Sequence, residues 1–304
     1  MISFRYHIVS VVAVFLALAL GIVIGTTALN GPITTDLRKQ VNTLKSDRTS
    51  LANQVKALQS QVGNAGDFAA AYGPAIVADT LSKQNVLVIA MPGASSTTRD
   101  GVQREIQAAG GKITGLITLT ASYVDQRRGS EITQFATTNH PIGLTLPEVN
   151  DPGQLGGALL AYVLLGRGQA SDLDQVLSGF SALHMVSVEQ NTPTPSTSVV
   201  IVGTGAMPTG DYGAGMELSF VTAMQQAGGH VVVAGNAASA SEAGLVAGVR
   251  QSNDDKSAVS TVDNSDTAIG QVSTILALVD AINSNIGHYG TAKTADSLFP
   301  NPSK

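Results

Sequence analysis

The chain has 304 residues, enough for a membrane anchor followed by a sizeable globular domain. Its formal net charge of −5, from 17 basic and 22 acidic residues, argues against a nucleic-acid partner, and no basic run overturns this. Because cysteine is absent, disulfides, zinc–thiolate sites, iron–sulfur clusters and a cysteine nucleophile are all excluded.

The first predicted element is a membrane-spanning helix. Residues 8–29 carry no charge, and about 20 apolar residues are enough to cross a bilayer. Arg5 and His7 precede this segment, which predicts that residues 1–7 form a cytoplasmic tail and that the following chain lies outside. The alternative is a cleaved signal peptide, but its apolar core would have only about 7–15 residues. We therefore expect a retained anchor.

Two sequence features concern the membrane helix: one indicates that it packs against a second membrane helix, and the other indicates where it ends. Gly21 and Gly25 form a GxxxG motif, which lets two membrane helices approach closely, although the motif alone is a weak signal. The segment 30–32 (Asn-Gly-Pro) is predicted to break the helix, and Asp36 is a suitable N-cap for the next one.

Residues 36–62 are predicted to form a coiled coil. Apolar residues recur at alternating steps of four and three, with leucine at every d position and valine at the a positions except Arg48. Valine at a with leucine at d favours a parallel two-stranded coil, so we expect a homodimer. The alternative is a single amphipathic helix lying on its own globular domain. Together with Gly21 and Gly25, the predicted dimer interface comprises Leu37, Val41, Leu44, Arg48, Leu51, Val55, Leu58 and Val62.

Residues 67–290 are predicted to form an α/β domain outside the cytoplasmic membrane, and residues 291–304 a flexible tail. A strand–helix–strand pattern occurs twice, and in both copies the helix ends at the sequence Ala-Gly-Gly. Two such units predict a doubly wound, mainly parallel sheet. Predicted strands cover 86–91, 113–119, 185–188, 199–202, 230–234 and 258–262. Predicted helices cover 74–82, 98–109, 153–165, 173–182, 213–226 and 267–284.

The residues offer no visible catalytic machinery, so we expect neither enzymatic activity nor a resident cofactor. The segment 203–205 (Gly-Thr-Gly) follows a strand but lacks the third glycine of a dinucleotide fingerprint. The five histidines have no metal-site spacing. Met91 and Met207 would lie at the carboxyl ends of equivalent strands and could take copper(I), but no clustered methionine motif supports a site. The metal ligands therefore stay unknown.

Several short strings together resemble the mycobacterial copper transport protein B (MctB) family. They are the opening residues 1–7 (MISFRYH), the apolar 13–18 (AVFLAL), 260–263 (STVD) and 287–291 (GHYGT). The resemblance covers nearly the whole chain and implies a role in copper homeostasis or efflux. For relatives in bacteria that bear mycolic acids, it also implies a role in envelope assembly at the division septum, with a partner membrane protein.

Two hypotheses of different class follow. One is a component of copper transport or homeostasis, with copper as the transported or sensed ion. The other is a non-enzymatic dimeric scaffold for the cell envelope. A transmembrane barrel needs many segments of about ten residues that alternate apolar and polar side chains. This sequence instead alternates buried strands with helices, which favours the scaffold on architecture alone.

Overall fold

The computed structural model describes residues 4–189 and 193–301, and for residues 27–34 it describes the course of the backbone alone. The chain divides into two compact units, residues 1–64 and residues 65–304. The second unit includes residues 67–290, for which the sequence predicts an α/β domain.

Helix α1 spans Phe4–Val77 as one element and forms the described part of the first unit. Its stretch Phe4–Thr26, 23 residues in length, is the one segment of the described chain long and apolar enough to cross a bilayer. The predicted break at residues 30–32 is wrong, because α1 continues through them, and Asp36 is consequently not an N-cap. One proline costs a helix about 3 kcal/mol, which the long helical segments on both sides can outweigh.

The heptad residues of the first unit present their side chains outward. Leu37, Leu44 and Leu51 are 53, 68 and 60% exposed, and Val62 is 71% exposed. Such exposure leaves the predicted pairing surface available, and the coiled coil itself stays a prediction.

The second unit is built on a mainly parallel sheet, as predicted. In the described part of the chain, seven strands pair in the order β3-β2-β1-β4-β5-β6-β7, and every pair is parallel except the antiparallel β2–β3. The strands are β1 (Asn85–Ala90), β2 (Lys112–Leu119), β3 (Val186–Glu189), β4 (Ser198–Val202), β5 (His230–Ala234), β6 (Ser260–Val262) and β7 (His288–Tyr289).

Helices cover both faces of this sheet. They are α2 (Ser96–Ala108), α3 (Gly129–Thr138), α4 (Pro152–Leu164), α5 (Ala170–Ala182), α6 (Tyr212–Gln226), α7 (Leu245–Gln251) and α8 (Ala268–Ile282). The predicted helices 98–109, 153–165, 173–182, 213–226 and 267–284 correspond to α2, α4, α5, α6 and α8. The predicted helix 74–82 is wrong, since α1 ends at Val77 and turns follow.

Two apolar layers enclose the sheet. Leu87 and Ile89 of β1 face the layer formed with α3–α7, and Val86 and Val88 face the layer formed with α2, α8 and the end of α1. All four side chains are 0% exposed, as expected for a parallel strand covered on both faces. The flexibility of the tail stays a prediction, although residues 290–297 are hydrogen-bonded beside β7.

Candidate functional site

The carboxyl ends of β1 and β4 form the position at which doubly wound folds usually bind ligands. The two strands are neighbours, and the helices that follow them, α2 and α6, pack on opposite faces of the sheet. Connections that leave in opposite directions open a crevice between such strands. Here the crevice is bordered by Met91 and Gly93 after β1 and by residues 203–205 after β4.

Glu217 of α6 is buried next to the residues that follow β4 at this crevice. Its side chain is 0% exposed, Thr204 Oγ1 donates a hydrogen bond to Oε2 at 3.3 Å, and Oε1 has no hydrogen-bond partner among the described residues. Burial raises the pKa of Glu217 to about 8, although the hydrogen bond from Thr204 acts in the opposite direction. The carboxyl is therefore mostly protonated at neutral pH. Sequence reasoning missed Glu217, and the available signal was a lone acidic residue beside Met216 in a helix.

The described methionines differ in burial. Met91, Met185, Met216 and Met224 are all at most 2% exposed and belong to one apolar core cluster. Met207 is partly exposed in the loop before α6. Four of the described methionines thus fill gaps in the core, as flexible thioether side chains commonly do.

A buried ion pair joins β6, α7 and β7. Arg250 Nη1 lies 2.8 Å from Asp263 Oδ2, and the two side chains are 2% and 0% exposed. Arg250 also donates to Thr261 Oγ1 at 2.8 Å, to Thr294 Oγ1 at 3.0 Å and to the carbonyl oxygen of Tyr289 at 2.9 Å. These bonds satisfy the charged groups of Arg250 and Asp263 inside the unit.

The distinctive strings 260–263 and 287–291 build this network. Asp263 accepts hydrogen bonds from the backbone N–H of Thr291 at 2.6 Å and of Ala292 at 3.3 Å. Gly290 has φ +130°, and a Cβ there would clash with the Asp263 carboxylate. His288 lies between Thr261 Oγ1 and the Lys256 carbonyl oxygen, and burial lowers its pKa. The observed contacts of the strings 260–263 and 287–291 therefore stabilise the fold.

His140 and His230 each lie within hydrogen-bond distance of a different backbone carbonyl oxygen. His140 Nδ1 lies 3.0 Å from the Thr137 carbonyl oxygen, and His230 Nδ1 lies 3.1 Å from that of Ala281. Across residues 4–189 and 193–301, no three His, Asp or Glu side chains are arranged to hold a metal ion. The structure therefore identifies no copper ligand set of that kind.

A cavity of about 590 Å³ has none of its lining residues at the carboxyl ends of β1 and β4. It is lined by residues 144–147, by α4 from Gln154 to Tyr162, by Arg167 after α4 and by the carboxyl-terminal part of α6. Neither Glu217 nor the ion pair lines it.

The predicted dimer residues form no enclosed site within one chain. A Cβ built on Gly21 or Gly25 would meet nothing within 4 Å, so both glycines leave a smooth surface on α1. Arg48 is exposed among the apolar heptad residues.

Known proteins match this chain along its whole length. The profile of the family described as "Copper transport outer membrane protein, MctB" matches residues 1–300. Curated proteins named "Copper transporter MctB" from Mycobacterium tuberculosis and Mycobacterium bovis are 30% identical over 311 residues, covering 98% of this chain and 99% of the relative. The protein of that name from Mycobacterium leprae is 29% identical over 314 residues, with the same coverage.

Proposed function

The chain belongs to the MctB family, and from that membership we propose that it is a membrane-anchored protein of the cell envelope with a role in copper handling. The supporting observation is that relatives named copper transporters align with 98% of the chain and 99% of their own length. The aligned region therefore includes the residues of the anchor, the heptads and the α/β unit of this chain.

We propose that the protein contributes to copper efflux together with other envelope components. A single membrane span per chain cannot enclose an ion path, and Phe4–Thr26 is the one candidate span among the described residues. Copper would then be cargo that passes a larger assembly, and the α/β unit would meet the partner protein.

A dimeric scaffold for envelope assembly is the second candidate. It is favoured by the heptads and by the exposure of their side chains. The predicted parallel homodimer supports both functions, because two tethered copies present two partner surfaces.

We further propose that the protein is neither an enzyme nor the holder of a resident cofactor. The polar groups beneath the carboxyl edge, Glu217 and Thr204, are 0% and 9% exposed. Side chains so deeply buried cannot reach a dissolved substrate in this arrangement.

Copper tolerance and copper binding together test the role. A deletion strain is expected to stop growing at lower copper concentrations than its parent, and the full-length gene should restore tolerance. Purified full-length protein should compete with a colorimetric chelator for copper(I). Normal tolerance and no competition, combined with a septation defect, would contradict copper handling and support the scaffold.

Two methionine substitutions test whether a thioether contributes to copper(I) binding. Met207 is the described methionine outside the apolar core, so Met207→Leu should weaken copper(I) binding if a thioether contributes. Met91→Leu is the matched control, because it conserves volume at a buried position.

Membrane orientation is tested separately. Arg5 and His7 before the span favour a cytoplasmic amino terminus. A phosphatase reporter fused after Lys304 should therefore be active in intact cells, and a cytoplasmic reporter at the same site should be inactive. The reverse result would contradict the proposed orientation.

A further inference from the structure

Residues 65–77, the last turns of α1, belong to the second unit. One face of this segment carries small or medium-sized residues and packs against the rest of that unit. Ala69 is 9% and Val77 0% exposed, and Gly73 between them is buried. A Cβ at Gly73 would lie 2.6 Å from Val272 Cγ2 of α8, so the helix approaches α8 closely only because this position is glycine. One face of this helix segment is therefore fully committed to the domain.

Large apolar side chains occupy the neighbouring face and point to solvent. Phe68, Tyr72 and Ile76 are 61, 57 and 53% exposed. The rings of Phe68 and Tyr72 lie 4.7 Å apart, and the three residues follow one another at steps of four. This is the reverse of an ordinary surface helix, whose large apolar residues face the core. We name these three residues the α1 patch.

The α1 patch continues the heptad pattern of the first unit. Steps of seven from Leu58 at d reach residues 65 and 72, and steps of seven from Val62 at a reach residues 69 and 76. Tyr72 and Ile76 therefore occupy d and a positions in the same register, and Phe68 occupies the adjoining g position. In the intervening heptad, Ala65 at d is exposed, whereas Ala69 at a packs against the domain of its own chain.

We propose that the α1 patch is an interface with a second copy of this chain. The same patch of the second copy meets it in parallel orientation, so that the α/β domains touch where the coiled coil ends. An isologous contact of this kind places Tyr72 near its symmetry mate. The proposal rests on the dimer included in the proposed function, and it adds that the dimer orders the two domains.

The area of the patch indicates why a second copy fits better than a separate protein. A buried aromatic side chain covers about 150–250 Å², so three half-exposed residues offer on the order of 300 Å² per copy. A stable complex buries roughly 800 Å² per partner. The patch is thus too small to recruit a free partner, but large enough to join two domains already tethered by their coils.

Single cysteines in the full-length protein test the contact, because the chain has no cysteine of its own. Native membranes are treated with a short bis-maleimide. Tyr72→Cys and Ile76→Cys should give covalent dimers, and Ala70→Cys should not, because Ala70 is exposed on another face of the same helix. Leu51→Cys reports the coil independently.

The crosslinking results distinguish the interface at the α1 patch from the dimer formed by the coiled coil. Crosslinking at Leu51 without crosslinking at Tyr72 or Ile76 would overturn the interface and leave the dimer standing. No crosslinking at any of the three would overturn both. An environment-sensitive dye on Tyr72→Cys that reports lipid rather than protein would show that the patch meets the membrane, which also overturns the proposal.

A charge substitution provides a quantitative test. Tyr72→Glu places a carboxylate in the contact and should weaken the dimer of the full-length protein in detergent by about tenfold or more, as measured by sedimentation equilibrium. The matched control Ala70→Glu should change the dissociation constant less than about twofold. Equal dissociation constants for Tyr72→Glu and Ala70→Glu would overturn the proposal.

Discussion

Replacing Arg250 by methionine should strongly destabilise the second unit. Methionine keeps most of the aliphatic volume of arginine but removes the guanidinium, which makes four hydrogen bonds in the buried network. Asp263, whose side chain is 0% exposed, then loses its cationic partner and keeps only backbone and hydroxyl donors from residues 291 and 292. The perturbation therefore tests an uncompensated buried charge rather than a cavity.

The expected magnitude follows from the burial of both partners. Removing one member of a buried ion pair costs about 3–5 kcal/mol. For a folded unit of this size, each kcal/mol lowers Tm by roughly 2–4 °C. Arg250→Met should therefore lower the Tm of the second unit by about 6–20 °C.

Scanning calorimetry of the full-length protein in detergent measures this shift, and hydrogen exchange localises it. Exchange should accelerate first in residues 288–297, because Arg250 binds the Tyr289 carbonyl oxygen and Asp263 binds the backbone N–H of Thr291. Arg127→Ala is the control, since its side chain is 88% exposed beside Asp125 and no measurable change in Tm is expected.

A double variant decides the cause. Combining Arg250→Met with Asp263→Asn removes the orphaned charge while an amide can still accept from the backbone at residues 291 and 292. The pair should be more stable than Arg250→Met alone. A Tm change below about 3 °C for Arg250→Met, or a double variant less stable than the single one, would refute the reasoning.

Three further predictions use other parts of the chain. Burial raises the pKa of Glu217 from 4.5 to about 8, so stability should fall as pH rises across that interval, by a few kcal/mol, and Glu217→Gln should abolish this dependence in melting curves. Gly270→Ala should lower Tm by several degrees because its Cβ would clash with the Asn264 carbonyl oxygen, whereas Gly215→Ala, with nothing within 4 Å, should leave Tm unchanged or raise it slightly. Arg48→Leu should tighten the dimer in sedimentation equilibrium, and unchanged association would contradict the coiled coil.

Strands β1–β6 and the ends of α2 and α6 were predictable because local chemistry determines them. Uninterrupted apolar runs at 86–90 and 199–202 become strands covered on both faces. The Ala-Gly-Gly strings end α2 and α6 because Gly110 and Gly228 adopt φ of +77° and +86°, which glycine allows at low cost.

The extent of α1 was not predictable in the same way. The predicted coiled coil ends at residue 62 and a separate helix is predicted from residue 74, yet α1 continues to Val77. Its last turns are held by Ala69, Gly73 and Val77 against the rest of the unit. Tertiary packing of this kind overrides local propensity. Strand β7 was missed because two residues carry no periodic signal and pair with β6 only in the fold.

The polar interior was missed because charge in a sequence usually indicates surface. Arg250, Asp263 and Glu217 are each separated along the chain from the groups that bind them, and only the assembled sheet brings partners such as Thr204 and Tyr289 within reach. A sequence pattern indicates which residues are apolar, but it does not indicate which charged residues are satisfied inside.

Two of the strings that carry the family resemblance, residues 260–263 and 287–291, form a buried polar network, and this redirects the search for copper contacts. Asp263 and His288 are buried and hydrogen-bonded to the protein, so replacing them would disrupt the fold before it revealed a role in copper binding. Loss of copper tolerance in such variants would therefore be ambiguous. Exposed or partly exposed soft ligands, namely His140, His184 and Met207, can be substituted without opening the core, so any effect of their substitution on copper tolerance reports on copper itself.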